Sequence, residues 1–275
     1  MKTTKKFKLT DNVNEFNGIR VYQIKALRSF KNVTKGDLGG WVEKEENLSQ
    51  IDDAWIDENA VVFGNAYIFG NALISGAAMI YGHARIYGNA LIGGHARIYG
   101  DATIYGHARI YGFAYIHGHS LVCGDAEVCG NAEVYGYSKI YDIATVHGNS
   151  KVHGVSKVCG NANIYDTAEI SDGAMCSGNA EICGDAKVLG DVEVFGEVEI
   201  CGNAVVCDDA DYLVFKNFWS SKRHFTWTKS NNMWKVGCFY GTGKELIEKA
   251  YADSKRSGKE YERVVRYVNS ILADE

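Results

Sequence analysis

The stretch IYGHARIYGNALIGGHARIYGDATIYGHARIYGFAY (80–115) places an aliphatic residue at every sixth position, from Ile80 through Ile86, Ile92, Ile98 and Ile104 to Ile110. Followed outward in both directions, the series runs from Ile56 to Val206 without a slip. Of its 26 positions 25 are Ile or Val, and Cys176 is the exception. Four residues after each aliphatic comes a small residue, the series Ala54 to Ala210, in which 21 of 27 positions are Ala and four are Ser. Val192 and Val198 are the larger members. Two residues after each aliphatic, Gly fills 21 of 24 positions between Gly64 and Gly202, the others being Asp142, Asp166 and Asp172. An internal period of this kind decides the architecture before any local propensity does.

The unit A-x-I-Y-G-N has a physical reading. Ala-x-Ile-Tyr alternates in and out as a short strand whose Ala and Ile face inward. Gly-Asn or Gly-Asp tolerates positive φ and lets the chain turn a corner. Three six-residue sides close an 18-residue triangular coil, and stacked coils pair their strands in parallel at about 4.8 Å. Residues 54–210 then make nearly nine coils. An α-helix needs a period of 3.6, and a pentapeptide solenoid a period of five. The fold class expected is an all-β solenoid, a left-handed parallel β-helix, with a β-rich N-terminal cap over 1–53 and a small α+β C-terminal domain over 211–275.

Composition agrees. Hydrophobic residues make up 46% of 275, which supports a sizeable core, and 31 Gly stand against no Pro at all. That excludes collagen-like and PPII readings. No apolar run reaches the roughly 18 residues of a membrane span, and the opening MKTTKKFKLTDNVNEF lacks the apolar stretch of a signal peptide. A soluble, cytoplasmic protein with no membrane contact is expected. Seven of the eight cysteines stand inside the repeat, in slots that Tyr, His or Ile also fill, and no CxxC occurs. Free thiols are therefore expected.

The net charge of −5 conceals a partition. Residues 1–50 carry ten Lys/Arg against six Asp/Glu, and 212–275 carry twelve against seven. Residues 165–211 carry Lys187 alone against twelve acids. The chain is basic at its ends and strongly acidic late in the repeat.

The spacing is similar to the aliphatic-x-x-x-small-x hexapeptide of left-handed β-helix proteins, among them trimeric acyltransferases. The leader IKALRSF…VTKGDLGGWVEKEENLSQ (24–50), the VYGNA-like repeats and the tail VGCFYGTGKEL (236–246) resemble phage and prophage hexapeptide-repeat proteins often labelled "polymer-forming cytoskeletal protein". That resemblance implies the fold and a phage setting, and it implies no activity. The acyltransferase likeness covers only the repeats, and these place Tyr, Cys or His after the aliphatic where those enzymes favour Gly, Asp or Glu.

Both ends of the rod read as capped. FKLT and IRVYQIKAL are plausible strands, followed by a GDLGGW turn, and Trp41 with Trp55 are placed to close the first coil. Beyond Ala210 come the strand-like runs YLVFKNFW and HFTWT, an Asn231-Asn232 turn and a further strand, MWKVGCFY. Two helices follow, opened by capping boxes at Thr242–Glu245 and Ser257–Glu260. Caps hide the terminal core and strand edges of a solenoid, so end-to-end polymerisation is not expected.

Seven of eight histidines lie in the repeat. His83, His95 and His107 recur at a period of twelve, two-thirds of a coil, so they fall on three different corners and read as turn residues. His83 and His119 share a corner two coils apart with Asp101 between them, a spacing related to that of zinc ligands in γ-class carbonic anhydrases. A catalytic zinc needs three protein ligands, and position 124, the place to seek a third, is Gly124. His117 and His153 form a second two-coil pair around Tyr135. The unbroken register leaves no extruded loop for an acyl-transfer site, although a groove histidine could serve as a base. No residue is assigned to catalysis, none to a metal, and no cofactor is expected. An antifreeze reading fails because the outward slots hold Tyr, Arg, Glu and Lys rather than flat Thr arrays.

The outward slots carry the functional reading. One face stacks Phe63, Tyr81 and Tyr99, joined by Met79 and Arg97. The next stacks Phe69, Tyr87 and Tyr105, joined by Arg85. The third begins with Ser75 and Gly93. The aromatic residues are expected at an oligomer or partner interface, with a homotrimer favoured by analogy with the fold. Glu181, Asp191, Glu193, Glu197 and Glu199 form an acidic patch expected to dock a basic host protein. The same acidity makes direct nucleic-acid binding by the β-helix unexpected. The function expected is a non-enzymatic phage or prophage binding protein that sequesters or blocks a host component, a defence protein or its small-molecule signal. The alternatives are an acyltransferase-like enzyme with CoA at a subunit groove and a filament-forming element.

Overall fold

A computed structural model describes residues 5–57 and 59–273. Its body is a parallel β-solenoid of about nine coils. Twenty-six two-residue strands, β4–β29, run from Trp55–Ile56 to Val205–Val206. They are preceded by β1 (Phe7–Phe16), β2 (Ile19–Ala26) and β3 (Leu38–Val42). They are followed by β30 (Tyr212–Lys216), β31 (His224–Thr228), β32 (Met233–Val236), β33 (Phe239–Thr242), α1 (Gly243–Asp253) and α2 (Lys255–Ala273). Strands one coil apart pair in parallel, so Arg97 faces Met79 on one side and Tyr115 on the other. Three sheets result: twelve strands including β1–β3, nine beginning at Trp55, and eight beginning at Tyr67.

The inward Ala and Ile/Val columns form one continuous core in which nearly every member is inaccessible to solvent. The corner glycines have φ of 63–85°, and those from Gly64 to Gly184 sit directly over the corner of the next coil. A Cβ on Gly100 would lie 2.9 Å from the Gly118 backbone nitrogen. Asp142, Asp166 and Asp172 adopt the same left-handed conformation, at φ 60°, 56° and 58°. Each carboxylate compensates by accepting the N–H of the next corner glycine, Gly160, Gly184 or Gly190.

The two ends of the stack have opposite chemical needs. Outward-slot N–H groups donate to carbonyls about seventeen residues on, as from Val61 to Ala78 and from Phe63 to Ile80. The first coil therefore leaves carbonyls open and the last coil leaves N–H groups open, and buried groups of either kind require partners. Donors cover the first end. Lys6, fully buried, donates from Nζ to the Ala54 carbonyl at 2.7 Å, and Asn47 Nδ2 donates to the carbonyls of Gly64 and Ala66. The backbone N–H groups of Trp41 and Glu43 donate to Ala60 and Val62. Acceptors cover the last end: Asp209 takes the Glu193 N–H, Thr226 that of Glu199, Ser230 that of Val205 and Asp211 that of Cys207.

Five expectations need correction. GDLGGW is no simple turn, because Leu38–Val42 is a strand paired with Val61–Val62. Gly39 and Gly40 permit it, since a Cβ on either would lie 2.5 Å from a carbonyl oxygen of the first coil. Trp41 does not cover the core but lies on the outer face beside Val61. Trp55 packs edge-on against Phe30, and Phe7, Ile24 and Phe30 complete the lid. MWKVGCFY is not one strand but the hairpin β32–β33, turning at Gly237 with φ 56°. Helix α2 begins ahead of the expected cap: Ser254 Oγ accepts the Ser257 N–H, while Ser257 lies inside the helix. Gly258 is needed there because a Cβ would strike the Tyr251 ring at 2.3 Å. The Thr242–Glu245 capping box forms as the pattern predicts.

The fifth correction concerns cysteine. Cys183 and Cys201 are joined by a disulfide, and the other six thiols are free. The two cysteines are 18 residues apart, so the stack brings their Cα atoms to 4.7 Å. No other pair of cysteines in the sequence is spaced by one coil.

Candidate functional site

The three outward faces differ in what they present. On the twelve-stranded sheet the slot after each aliphatic builds a ring column, Phe63–Tyr81–Tyr99–His117–Tyr135–His153. Centroids are 4.7–5.1 Å apart and neighbouring planes lie within 5°. The spacing is the coil rise, so the backbone alone dictates face-to-face stacking. Partial burial pushes the Tyr81, Tyr99 and Tyr135 hydroxyls up from their ordinary pKa, with desolvation the leading cause.

Beside these rings runs the column Val61, Met79, Arg97, Tyr115, Glu133, Lys151, Glu169, Lys187. Its later half neutralises itself. Lys151 reaches Glu133 at 3.7 Å and Lys187 reaches Glu169 at 2.9 Å, while His117 and His153 approach the same two carboxylates. Lys187, followed by His153, holds the Glu169 carboxyl below its ordinary pKa. Arg97 instead lies 5.5 Å above the Tyr115 ring, and among the described residues it has no carboxylate at ion-pair distance.

The first rungs of this face are not free. Phe63 and Val61 are buried with Val21 under the β1–β2 hairpin, with Phe16, Ile19, Trp41, Met79 and Tyr81 packed around them. The sequence signal was the alternation of IRVY (19–22), which gives the hairpin a second apolar face. Past the hairpin tip a groove of about 320 Å3 opens between Phe16, Val61, Met79 and Tyr115 and the corner residues Ala77, His95 and Phe113, with Asn59 and Arg97 at its polar points. Phe16 is aimed there by the tight turn at Asn17-Gly18, both at positive φ as a two-residue hairpin requires.

The eight-stranded sheet carries Phe69, Tyr87 and Tyr105, stacked at 4.6 and 5.1 Å, with Tyr67 4.9 Å from Phe69 and Arg85 over the Phe69 ring. The aromatic ladder stops at Cys123. Hydrogen bonding with Cys123 leads the causes that raise the Tyr105 pKa. On the nine-stranded sheet the slot after each aliphatic carries no ring before Tyr111. Ser75 and Gly93 leave a trough of about 250 Å3 flanked by the exposed Leu73 and Leu91 and ending at Tyr111, whose hydroxyl donates to Glu127. The nine expected interface residues thus fall on two faces, Phe63, Met79, Tyr81, Arg97 and Tyr99 on one and Phe69, Arg85, Tyr87 and Tyr105 on the other.

The acidic residues are similarly divided. Glu181 and Glu199 are paired rungs of the nine-stranded sheet, and Glu197 lies at its corner. These three form one wall of a cleft of about 480 Å3 whose other wall is Lys222, Arg223 and His224. Lys235 bonds Glu199 at 3.1 Å, and Asn179 donates to Glu197. Part of the acidic surface therefore faces basic side chains of its own C-terminal segment. Glu193 belongs to the eight-stranded sheet, and Asp191 to the corner before it.

The histidines act as rungs and corner residues. His95 stacks on Phe113 at 4.8 Å, His119 on Tyr137 at 4.6 Å and His147 on Tyr165 at 5.4 Å. His119 lies 3.6 Å from Asp101, and His107 meets Asn89 at 3.4 Å. Among the described residues no group of three or more His, Cys, Asp or Glu could hold a metal ion, and no helix is long and apolar enough to cross a membrane.

The geometry is that of a repeat protein, and a family model agrees locally. The YdcK beta solenoid repeat matches residues 78–94 and 96–112. Both matches lie inside the repeat, and each spans about one coil. No curated protein matches the chain. The similarity to YdcK repeats extends to these two coils, which contribute Met79, Tyr81, Arg85, Tyr87, Arg97, Tyr99 and Tyr105 to the two aromatic faces.

Proposed function

We propose that this chain is a non-enzymatic binding protein, a rigid β-solenoid that assembles with copies of itself and presents its remaining faces to a host component. The supporting observation is the contrast between two faces. The eight-stranded sheet carries a ridge of stacked rings at Phe69, Tyr87 and Tyr105, and the nine-stranded sheet carries a ringless trough at Ser75 and Gly93. A ridge on one copy that seats in the trough of the next makes a head-to-tail contact, and such contacts generate closed rings when the rotation closes. Closure at three is favoured by analogy with the trimeric acyltransferases whose hexapeptide spacing the repeat resembles. The resemblance of the leader and tail to phage and prophage hexapeptide-repeat proteins supports a setting in the host cytoplasm, where blocking or sequestering a defence component is the role proposed.

Light scattering from the purified chain tests the assembly. Three chains of 30.3 kDa give about 91 kDa. Replacing Tyr87 by Asp on the ridge is expected to return the mass to that of one chain. A wild-type monomer would overturn the assembly. A trimer whose melting temperature rises with acetyl-CoA would favour an acyltransferase instead, and large open-ended particles would favour a filament.

A further inference from the structure

We propose that the groove past the hairpin tip is a binding site for a small aromatic anion. The inference rests on reading the chain as a binding protein, but it does not depend on the oligomeric state. The groove's volume of about 320 Å3 lies at the small end of the roughly 300–1,000 Å3 range of ligand pockets. Its walls are mainly apolar, and four of the lining residues carry rings, Phe16, His95, Phe113 and Tyr115. This face already stacks rings at intervals of about 4.8 Å, and Phe113 is 54% exposed in the groove wall.

The charge at the site fixes the sign of the ligand. Lys151 and Lys187, in the column that contains Arg97, each pair with a carboxylate. Arg97 is separated from the nearest acid in that column, Glu133, by the whole Tyr115 rung. Among the described residues no Asp or Glu lines the groove. A guanidinium stacked on a ring keeps its edge donors available, and their fork fits a carboxylate, sulfonate or phosphate. The His95 ring, held flat on Phe113 at 4.8 Å, adds a further polar group to Arg97 and Asn59 in the lining. The ligand class is a flat ring, seated against Phe113 and Tyr115, that carries its anionic group to Arg97.

The test is fluorescence titration of the full chain with 8-anilinonaphthalene-1-sulfonate and with the uncharged N-phenyl-1-naphthylamine. Two variants are compared with the wild type. Arg97→Gln removes the charge at an exposed position. Ala77→Phe fills the groove with the residue that the same corner column already carries at Phe113. Arg97→Gln is expected to weaken the sulfonate by about tenfold or more while leaving the neutral probe within about twofold. Ala77→Phe is expected to weaken both probes. Unchanged sulfonate affinity in Arg97→Gln, or unchanged binding of both probes in Ala77→Phe, would overturn the site. Light scattering on the same samples reads the assembly separately, so loss of the trimer and loss of the site are distinguishable.

Discussion

Ser120, Ser138, Ser150 and Ser156 occupy inward slots that Ala fills in most coils, and all four are buried. They are not equivalent. Ser150 and Ser156 donate to the His147 and His153 carbonyls at 2.7 Å, whereas the hydroxyls of Ser120 and Ser138 have no partner among the described residues. An unpaired buried hydroxyl costs about 1–3 kcal/mol. Ser120→Ala and Ser138→Ala should therefore each raise stability by about 1 kcal/mol, and Ser150→Ala should lower it by a similar amount. Urea denaturation of the three variants checks the signs. Lys6 poses a different problem, because burial outweighs the help of Asp52 and depresses its pKa to about 8. A folded-state pKa below the unfolded value means that the unfolded chain binds the extra proton between the two. Stability should rise with pH from about 8 to 10, by about 2–3 kcal/mol. Above pH 10 the raised tyrosines act in the opposite sense, which confines the window. Lys6→Met should flatten that rise, as read from denaturation midpoints across pH 8–10.

At the scale of the element, the coil strand is only two residues long and gains little by itself. What holds a rung is its neighbours above and below, and the aromatic column makes that explicit. Tyr99 stacks on Tyr81 at 4.9 Å and on His117 at 4.7 Å. Ring pairs are worth about 0.5–1.5 kcal/mol each beyond area burial, so Tyr99→Leu should cost roughly 1–3 kcal/mol, measured by chemical denaturation. Most of this column was legible in the sequence, because an 18-residue coil fixes which outward residues become vertical neighbours. The cover over its first rungs was less visible. Phe63 reads as the exposed start of the column, yet the β1–β2 hairpin folds onto it, since Val21 and Ile19 need an apolar face of their own.

Across the whole molecule, the ends decide whether nine coils remain a single closed object. The last coil presents N–H groups with no further coil above them, and oxygen acceptors from 208–230 meet them. This gives a local reason for some of the acidity in 165–211, because Asp209 and Asp211 serve as acceptors. Replacing Thr226 by Val and Ser230 by Ala removes two of these acceptors, at a cost of about 1–3 kcal/mol at the half-buried Glu199 N–H and less at the exposed Val205 N–H, where water takes over. The double variant should lose stability first in the final coils, seen as faster amide exchange near Glu199 and Val205 than near Arg97. The Cys183–Cys201 disulfide closes a loop of one coil in the same region. Loop-closure entropy puts its contribution at about 3 kcal/mol.

The sequence by itself determined the period, the three-sided coil, the inward Ala and Ile columns and the identity of the vertical neighbours. A strict repeat turns sequence separation into spatial separation, and nothing competes with a core pattern of 25 matching positions in 26. Even the disulfide could be found in that arithmetic, as the one pair of cysteines spaced by a coil. The tertiary structure decided what happens where the repeat ends. Whether Trp41 covers the core or the outer face, whether Phe63 is bare or buried, and whether Glu199 meets solvent or Lys235 all depend on how non-repetitive segments fold back. Those contacts join residues at separations that no period specifies, and they are set by open carbonyls at one end, open N–H groups at the other, and the apolar surface each cap must hide.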